Sequence, residues 1–319
     1  MKRLVVTDTT GALSIEETLG SQEESIERSL SLRDRVQAYI GLTKPRIIEL
    51  LLVTTVPSMI VAAGGWPPLS LTLFTLLGGA LAAGGANAIN CYIDRDIDTV
   101  MHRTRERPLP THRVEPRHAL VFGIILGIAA FGLLVLTVNL VAALLAIAAL
   151  LFYVFVYTIA LKRTTPQNIV IGGAAGAVPA LVGWAAVTGR VGAPALALFG
   201  IVFYWTPPHF WALAMRYEDD YNSAGVPMMP VVYGRAETAK HIVLYSFLLS
   251  AMSLVFFSVG RMGLIYLVAA VVLNGLFIGR AIGLWRNPTT TAAWALFRYS
   301  IHYLALLFAA MAVDELFVL

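Results

Sequence analysis

The sequence predicts an all-α integral membrane protein with nine transmembrane helices around a central cavity. Hydrophobic residues make up 58% of the chain and charged residues 13%, whereas soluble domains carry roughly 25% charged residues. The apolar runs are long enough to cross about 30 Å of hydrocarbon, and none shows the alternation of a strand. Helices are expected because they satisfy the backbone's hydrogen bonds within one segment.

The apolar runs give the limits of the predicted helices. These are residues 46–64, 69–91, 118–138, 141–161, 169–188, 195–215, 241–259, 262–282 and 297–318. Ahead of them, residues 1–38 hold seven acidic side chains and no long apolar run. We expect a mostly disordered cytoplasmic tail with a short helix there, and neither a signal peptide nor a mitochondrial presequence. Residues 39–319 are predicted to form the helical domain.

The distribution of basic residues predicts the orientation in the membrane. Of the 23 Lys and Arg residues, only Arg190 and Arg261 fall on the side opposite the amino terminus. We expect the amino terminus and the long loops in the cytoplasm, the carboxyl terminus outside, and a bacterial plasma membrane as the location. This topology explains the net charge of +4, so the charge requires no nucleic-acid partner.

A weak internal repeat divides the helices into two halves. Residues 43–47 lead into the first helix and residues 165–169 into the fifth, and both stretches contain a Thr, a Pro and an Ile. The second and the sixth helix each end in a polar cluster. Two four-helix halves and a ninth helix would place these clusters opposite each other across the cavity.

The first polar cluster is a stripe along the end of the second helix. On a helix its members fall within an arc of about 80°, whereas Asp96 falls on the opposite side. Carboxylates in a membrane are costly and must face water, a cation or a cavity. Hard oxygen ligands suit magnesium, which commonly bridges carboxylates to substrate phosphates. The stripe therefore predicts a magnesium and diphosphate site formed by Asn87, Asn90, Asp94 and Asp98.

Basic residues near the stripe could bind the phosphate oxygens. Three guanidinium groups follow the stripe, those of Arg103, Arg105 and Arg107, and guanidinium groups bind phosphate through paired hydrogen bonds. Positive-inside topology also places Arg in this loop, so the phosphate role depends on the neighbouring acids. Weaker candidates for the same reason are Lys44, Arg46, Lys162 and Arg163.

The second polar cluster follows Pro207 and Pro208, where we expect the sixth helix to break or kink. His209, Arg216 and Asp220 would share a face if the helix resumed. A second metal or diphosphate contact is one interpretation. Aromatic residues at the helix ends, including Tyr157, could stabilise a carbocation, although Tyr and Trp also mark membrane interfaces. The cluster consists of His209, Arg216, Glu218, Asp219, Asp220 and Tyr221.

The stripe resembles the first motif of the UbiA-type intramembrane prenyltransferases. Further stretches, from about residue 42 to the carboxyl terminus, resemble the protohaem IX farnesyltransferase branch of that superfamily. They are LTKPR (42–46), RTRERPLP (103–110), LKRTTPQNI (161–169), TPPHFW (206–211) and DYNSAGVPMMP (220–230). The superfamily's second motif usually reads Asp-x-x-x-Asp, whereas Asp219 and Asp220 are adjacent here. This departure fits the haem branch and argues against a second magnesium site.

The resemblance implies that farnesyl diphosphate alkylates the 2-vinyl group of haem B, that water adds, and that haem O and diphosphate leave. It implies Mg²⁺ as cofactor, the lipid bilayer as surroundings, a role in haem–copper oxidase biogenesis, and haem A synthase or oxidase assembly proteins as candidate partners. We expect the stripe to hold magnesium, and Arg103, Arg107 and Lys162 to neutralise the leaving diphosphate. The expected substrate-binding residues are Lys44, Arg46, Tyr157, Asn168, His209, Arg216, Asp219, Asp220 and Tyr221.

Two alternatives stay open at this point. An enzyme of the same fold could prenylate an aromatic acid in quinone biosynthesis, which needs a small polar acceptor pocket. A transporter or a haem-carrying protein without catalysis is the second alternative. Midplane charges would favour a transporter, but residues 119–161 contain no charged side chain. Four roles remain open for His209: axial ligand of haem iron, partner of a haem propionate, general base, or a purely structural hydrogen bond.

Overall fold

The computed structural model of this chain describes residues 31–317, and for residues 46, 47 and 49–52 it describes the backbone alone. Most of the predicted tail, residues 1–30, and the side chain of Arg46 therefore lie outside the described residues. Residues 32–38 of that tail, in which we expected a short helix, begin the first helix of the structure. Ala38 is buried on this helix, so the packed part of the chain starts before residue 39.

The described part of the chain forms twelve α-helices and no strand. They are α1 (Leu32–Thr43), α2 (Pro45–Ala63), α3 (Leu69–Ile93), α4 (Arg95–Val100), α5 (Pro116–Thr137), α6 (Leu140–Leu151), α7 (Asn168–Thr188), α8 (Ala193–Arg216), α9 (Glu218–Ser223), α10 (Met229–Val259), α11 (Leu264–Arg286) and α12 (Thr290–Phe317). A π-helical segment, Phe152–Leu161, continues α6 directly.

Seven helices in the described residues are long and apolar enough to cross a membrane. They are α3, α5, α6 with its π-helical segment, α7, α10, α11 and α12. The other two predicted spans correspond to α2 and α8. The described apolar part of α2 is the shorter stretch Val53–Ala63, and α8 carries polar and proline residues in its second half.

Three local features differ from the sequence-based expectation. Pro207 and Pro208 do not break α8, which runs on to Arg216. The helix predicted to begin at residue 241 begins at Met229, and a non-helical Gly234 with φ of 78° lies inside it. The last helix begins seven residues earlier than residue 297. The apolar runs underestimate the lengths of these two helices because their N-terminal parts carry polar side chains.

Small residues allow the helices around the cavity to approach closely. A Cβ atom on Gly85 of α3 would lie 2.7 Å from the carbonyl oxygen of Gly123 on α5. Between α2 and α7, a Cβ on Gly183 would lie 2.5 Å from the carbonyl oxygen of Thr55. Glycine is therefore required where these backbones meet, as is common between membrane helices.

Candidate functional site

A cavity of about 610 Å³ lies between α2, α3, the π-helical segment, α7, α8 and α12. Most of its wall is apolar and rich in Gly, Ala and aliphatic side chains. The charged lining residues all come from helix ends or from the loop after α4, on the predicted cytoplasmic side. They are Lys44, Asp98, Arg103, Arg107 and Lys162. The cavity thus combines one charged end with an apolar body.

The polar stripe continues across the junction between α3 and α4. The amide of Asp98 donates to the carbonyl of Asp94 over 2.9 Å, so the helical repeat persists although α3 ends at Ile93. The four stripe residues are buried. Asp96 points away, is exposed and pairs with Arg163 at 2.6 Å. The hydrogen bonds from Arg163 lower the pKa of Asp96 to about 2. The predicted separation of Asp96 from the stripe is confirmed.

Asp98 and Arg107 form a two-point ion pair at the charged end. Both carboxylate oxygens of Asp98 accept from the Arg107 guanidinium, at 2.8 and 2.9 Å. Asp98 is 1% exposed, while the Arg107 side chain is 31% exposed. Such a geometry positions a planar cation beside the acid. The hydroxyl of Thr104 fixes this turn by donating to the Asp98 carbonyl over 3.0 Å.

Asn90 and Asp94 are held by two lysines. The ammonium group of Lys44 donates to Asn90 Oδ1 over 2.6 Å, and that of Lys162 donates to Asp94. Asn90 Nδ2 donates to Asp94 over 2.7 Å and to the Thr158 hydroxyl over 3.1 Å. Asp94 is fully buried behind Asn90 and Lys162, which line the cavity. Burial lowers the pKa of Lys44 to about 8.

The oxygen atoms of the stripe suit magnesium that arrives with a diphosphate. No group of three or more His, Cys, Asp or Glu side chains able to hold a metal occurs in the described residues. The stripe instead supplies two carboxylates and two amides, and Asn87 is oriented by its bond to the Thr43 carbonyl at 2.9 Å. Magnesium typically takes one or two carboxylates and completes its sphere with water and substrate phosphates. The donor set fits that pattern.

The loop that follows the stripe contacts the second polar cluster through Arg103. Its guanidinium donates to the Tyr221 hydroxyl over 2.6 Å and lies 4.5 Å from the centre of the same ring. Its backbone amide lies 3.4 Å from a carboxylate oxygen of Asp220. The loop after α4 and helix α9 are thereby joined at the mouth of the cavity. Tyr221, Arg103 and Tyr157 line the cavity.

Several residues expected to contact substrate do not line the cavity. Arg216 is exposed and stacks on Trp294, 4.5 Å from the ring centre. Asp219 is exposed and Asp220 faces the Arg103 backbone. Asn168 is buried and donates to the Thr165 carbonyl over 2.7 Å, so it shapes the turn that carries Lys162. The structure places these four residues outside the cavity lining, and their contacts with substrate remain predictions.

His209 lies on the cavity wall within α8. Its ring stacks on Trp205 at 4.2 Å and lies 4.7 Å from the ring of Phe297. Its Nδ1 is 2.7 Å from the Ser300 hydroxyl. Ser300 and Phe297 could not be recognised from the sequence, because an isolated Ser or Phe in an apolar helix is not a distinctive pattern. Only the packing of α12 on α8 brings them to His209.

A family model described as the UbiA prenyltransferase family matches residues 51–308 of the chain. A Roseiflexus protein named protoheme IX farnesyltransferase is 56% identical over 277 residues, covering 87% of this chain and 52% of that protein. A Gloeobacter violaceus protein of the same name is 53% identical over 306 residues, covering 95% of this chain and 99% of that protein. The chain thus spans about half the length of the Roseiflexus relative.

Solved structures share the fold at low sequence identity. A structure from work on digeranylgeranylglyceryl phosphate synthase has a TM-score of 0.74 and 20% identity, and the match covers 88% of this chain and 98% of that one. A UbiA homolog from Archaeoglobus fulgidus, solved with DMAPP and Mg²⁺, has a TM-score of 0.59 and 18% identity over 86% of this chain and 99% of that one. These likenesses establish the helical fold.

Proposed function

This chain belongs to the UbiA prenyltransferase family, and from that premise we propose that it transfers a farnesyl group from farnesyl diphosphate to the 2-vinyl group of haem B. Water adds in the same reaction, and haem O and diphosphate are released. The main support for this proposal is the cavity, which joins a charged end to a large apolar body. The names of the relatives at 53–56% identity support haem as the acceptor.

The charged end is proposed to bind the diphosphate. Asn87, Asn90, Asp94 and Asp98 would hold Mg²⁺, which when bound supplies positive charge to the phosphate oxygens. Lys162 neutralises the buried Asp94 before substrate enters, and Lys44 donates a hydrogen bond to the neutral amide of Asn90. The same cations can then turn to the phosphate oxygens without crossing the cavity.

The first chemical step breaks the bond between C1 of the farnesyl group and the diphosphate oxygen. The electron pair leaves with the diphosphate, whose negative charge grows as the bond breaks. Arg103, Arg107 and Lys162 line this end of the cavity and stabilise that charge in the transition state. Donors fixed before the reaction contribute more than mobile water does, because they require no reorganisation.

The second step forms the new carbon–carbon bond. The terminal carbon of the vinyl group attacks farnesyl C1, which leaves a cation on the vinyl carbon next to the macrocycle. Water adds to that carbon and loses a proton, which gives the hydroxyl group of the product. The ring faces of Tyr153 and Tyr157 on the wall can stabilise the allylic cation, and the apolar body excludes bulk water.

We further propose nine membrane spans, with α2 and α8 added to the seven helices that are long and apolar enough. The amino terminus would lie in the cytoplasm and the carboxyl terminus outside, in the plasma membrane of a bacterium. The charged end of the cavity then faces the cytoplasm, because its residues lie at the helix ends flanked by most of the Lys and Arg residues.

Membranes containing the full chain would test the function. They would be supplied with haem B, farnesyl diphosphate and Mg²⁺, and the extracted haem would be identified by mass spectrometry. We expect haem O from the wild type and from Asp96→Asn, and at least a hundredfold less from Asp98→Asn, since a metal-site carboxylate stabilises the departing charge. A wild type that leaves haem B unchanged but prenylates an aromatic acid would establish the quinone-type activity instead.

A further inference from the structure

The surroundings of His209 favour a neutral imidazole. The ring lies between Trp205 and Phe297, with Phe210 at 5.4 Å. No carboxylate of the described residues pairs with it. A base at this position would have to become a buried imidazolium without a counter-ion, which is costly. These surroundings therefore disfavour His209 as a general base.

Ser300 determines which ring nitrogen carries the hydrogen. Its hydroxyl donates its single hydrogen to the Phe297 carbonyl over 2.6 Å, so its oxygen is left to accept. The Nδ1 atom of His209, 2.7 Å away, is then the donor. Consequently Nε2 carries the lone pair of the neutral ring. Nε2 has no hydrogen-bond partner among the described residues, and the ring lines the cavity.

We propose that His209 Nε2 is the axial ligand of the iron in the haem substrate, and that Ser300 is its positioning residue. The inference rests on the proposed function. Histidines that bind metals usually donate their second ring N–H to a fixed acceptor, which sets the tautomer and the ring orientation. Ser300 supplies such an acceptor. A propionate contact would need an N–H directed into the cavity, and the Ser300 bond uses the only one that a neutral ring has.

The wall beside His209 also suits the macrocycle. Phe297, Ile301 and Leu304 of α12 present apolar side chains to the cavity, and they follow helical spacing on one face. Ligation at α8 would anchor the macrocycle on this side, while the diphosphate is held by the charged ends of α3 and the π-helical segment. The substrates would then be fixed independently, so that one vinyl group is presented to farnesyl C1. Such positioning lowers the entropic part of the barrier.

Purified full-length protein in detergent would be titrated with ferric haem B, and the ferrous nitrosyl adduct would be examined by electron paramagnetic resonance. We expect nitrogen splitting from an imidazole opposite the nitric oxide in the wild type. The splitting should disappear in His209→Gly and return when free imidazole is added, which also shows that the variant is folded. Haem affinity should fall about tenfold in Ser300→Ala, a usual effect of losing a partner of a metal ligand.

His302→Ala is the matched control, because His302 is exposed on α12 and bonds to the Arg298 carbonyl. Its spectrum and affinity should equal those of the wild type. Unchanged splitting in His209→Gly would overturn the ligation while leaving the farnesyl transfer intact. If the wild type made haem O normally but its spectrum showed no imidazole splitting, the proposed ligation would likewise be overturned. A wild type that neither binds haem nor makes haem O would overturn the proposed function as well.

Discussion

Asp98 is nearly inaccessible, and the Arg107 guanidinium satisfies both of its carboxylate oxygens. Arg107→Ala would leave this charge buried without its partner. We expect a loss of about 3 kcal/mol in the free energy of unfolding, at the lower end for a broken buried pair because Arg107 is partly exposed. Thermal or denaturant unfolding in detergent would measure it.

Arg105→Ala provides the control for that loss. Arg105 lies in the same loop, and its contact with Glu106 spans 3.7 Å between two largely exposed side chains. Exposed pairs contribute little, so the change should stay below about 0.5 kcal/mol. Equal losses in the two variants would show that the loop, and not the Asp98 pair, determines stability here.

Lys162 lies between the buried Asp94 and the cavity. Lys162→Ala removes a cation that we expect to stabilise the departing diphosphate, so kcat should fall about 10²- to 10³-fold, as for other preorganised donors. Steady-state rates of haem O formation would measure it. Lys240→Ala, which removes a lysine paired with Glu237 on the exposed face of α10, should keep kcat within twofold. A fall in kcat of less than twofold in Lys162→Ala would show that Lys162 contributes to folding and not to catalysis.

The residues of the candidate site differ in how far the sequence could reveal them. Four side chains spaced along one helix predicted the stripe, because local geometry alone brings them onto one face. Arg103 was found through its closeness to that stripe in the chain. Ser300 could not be found, since its importance comes from a contact with a residue 91 positions away. The sequence could not show that Arg216, the last residue of α8, stacks on Trp294, because that contact depends on how α12 packs beside α8.

Helices α3 and α7 contribute apolar residues to the cavity wall, among them Gly79 of α3. It precedes Asn90 by eleven residues, or about 16 Å of helix. A Cβ there meets no atom within 4 Å, so a larger side chain can extend into the cavity. We expect Gly79→Leu to lower kcat/KM about tenfold for farnesyl diphosphate and far less for geranyl diphosphate, whose chain is shorter. Competition between the two diphosphates would measure the ratio.

Gly275→Leu is the matched substitution outside the cavity. Gly275 is exposed on α11, and a Cβ there also meets nothing within 4 Å. Because glycine is a poor helix former, both changes should leave the fold intact. Only Gly79→Leu should alter the preference for chain length. A shared change would indicate a general effect of the substitution, and an unchanged ratio would place the farnesyl chain elsewhere in the cavity.

The apolar runs predict the helices themselves, but they do not predict two internal features of these helices. The segment Phe152–Leu161 is π-helical, and its Thr158 hydroxyl bonds to the Tyr153 carbonyl five residues earlier. Its composition is that of an ordinary membrane helix, so no sequence pattern predicts the wider turn. Such turns often occur at functional sites, and this one delivers Lys162 to Asp94. Likewise, α8 accommodates two prolines because neighbouring helices enclose them.

At the scale of the whole molecule, the contact of Arg103 with Tyr221 joins the loop after α4 to α9 at the charged end of the cavity. The division into two four-helix halves remains a prediction. Such a repeat would place equivalent helix ends, and with them the two polar clusters, on the same side of a membrane. The sequence could not predict the cavity's shape, which depends on how closely the glycine-containing helices pack.

The distribution of charge over the whole chain leads to a test of topology. Cys91 is the only cysteine of the sequence and is buried, so introduced cysteines can be labelled selectively. The first two cysteines would replace Arg190 and Arg261, which are exposed next to helix ends. In intact spheroplasts, both should react with a membrane-impermeant maleimide, because only two of the 23 Lys and Arg residues fall on their side of the membrane, which predicts that this side is external.

Arg105→Cys and Arg117→Cys, also at exposed positions, should react only after lysis, and the wild type should not react in either condition. Arg190 and Arg261 are separated by α8 and α10. If α8 did not cross the membrane, these two positions would lie on opposite sides and only one would be labelled before lysis. Labelling of both before lysis therefore requires α8 to span, despite the polar residues that lower its hydropathy.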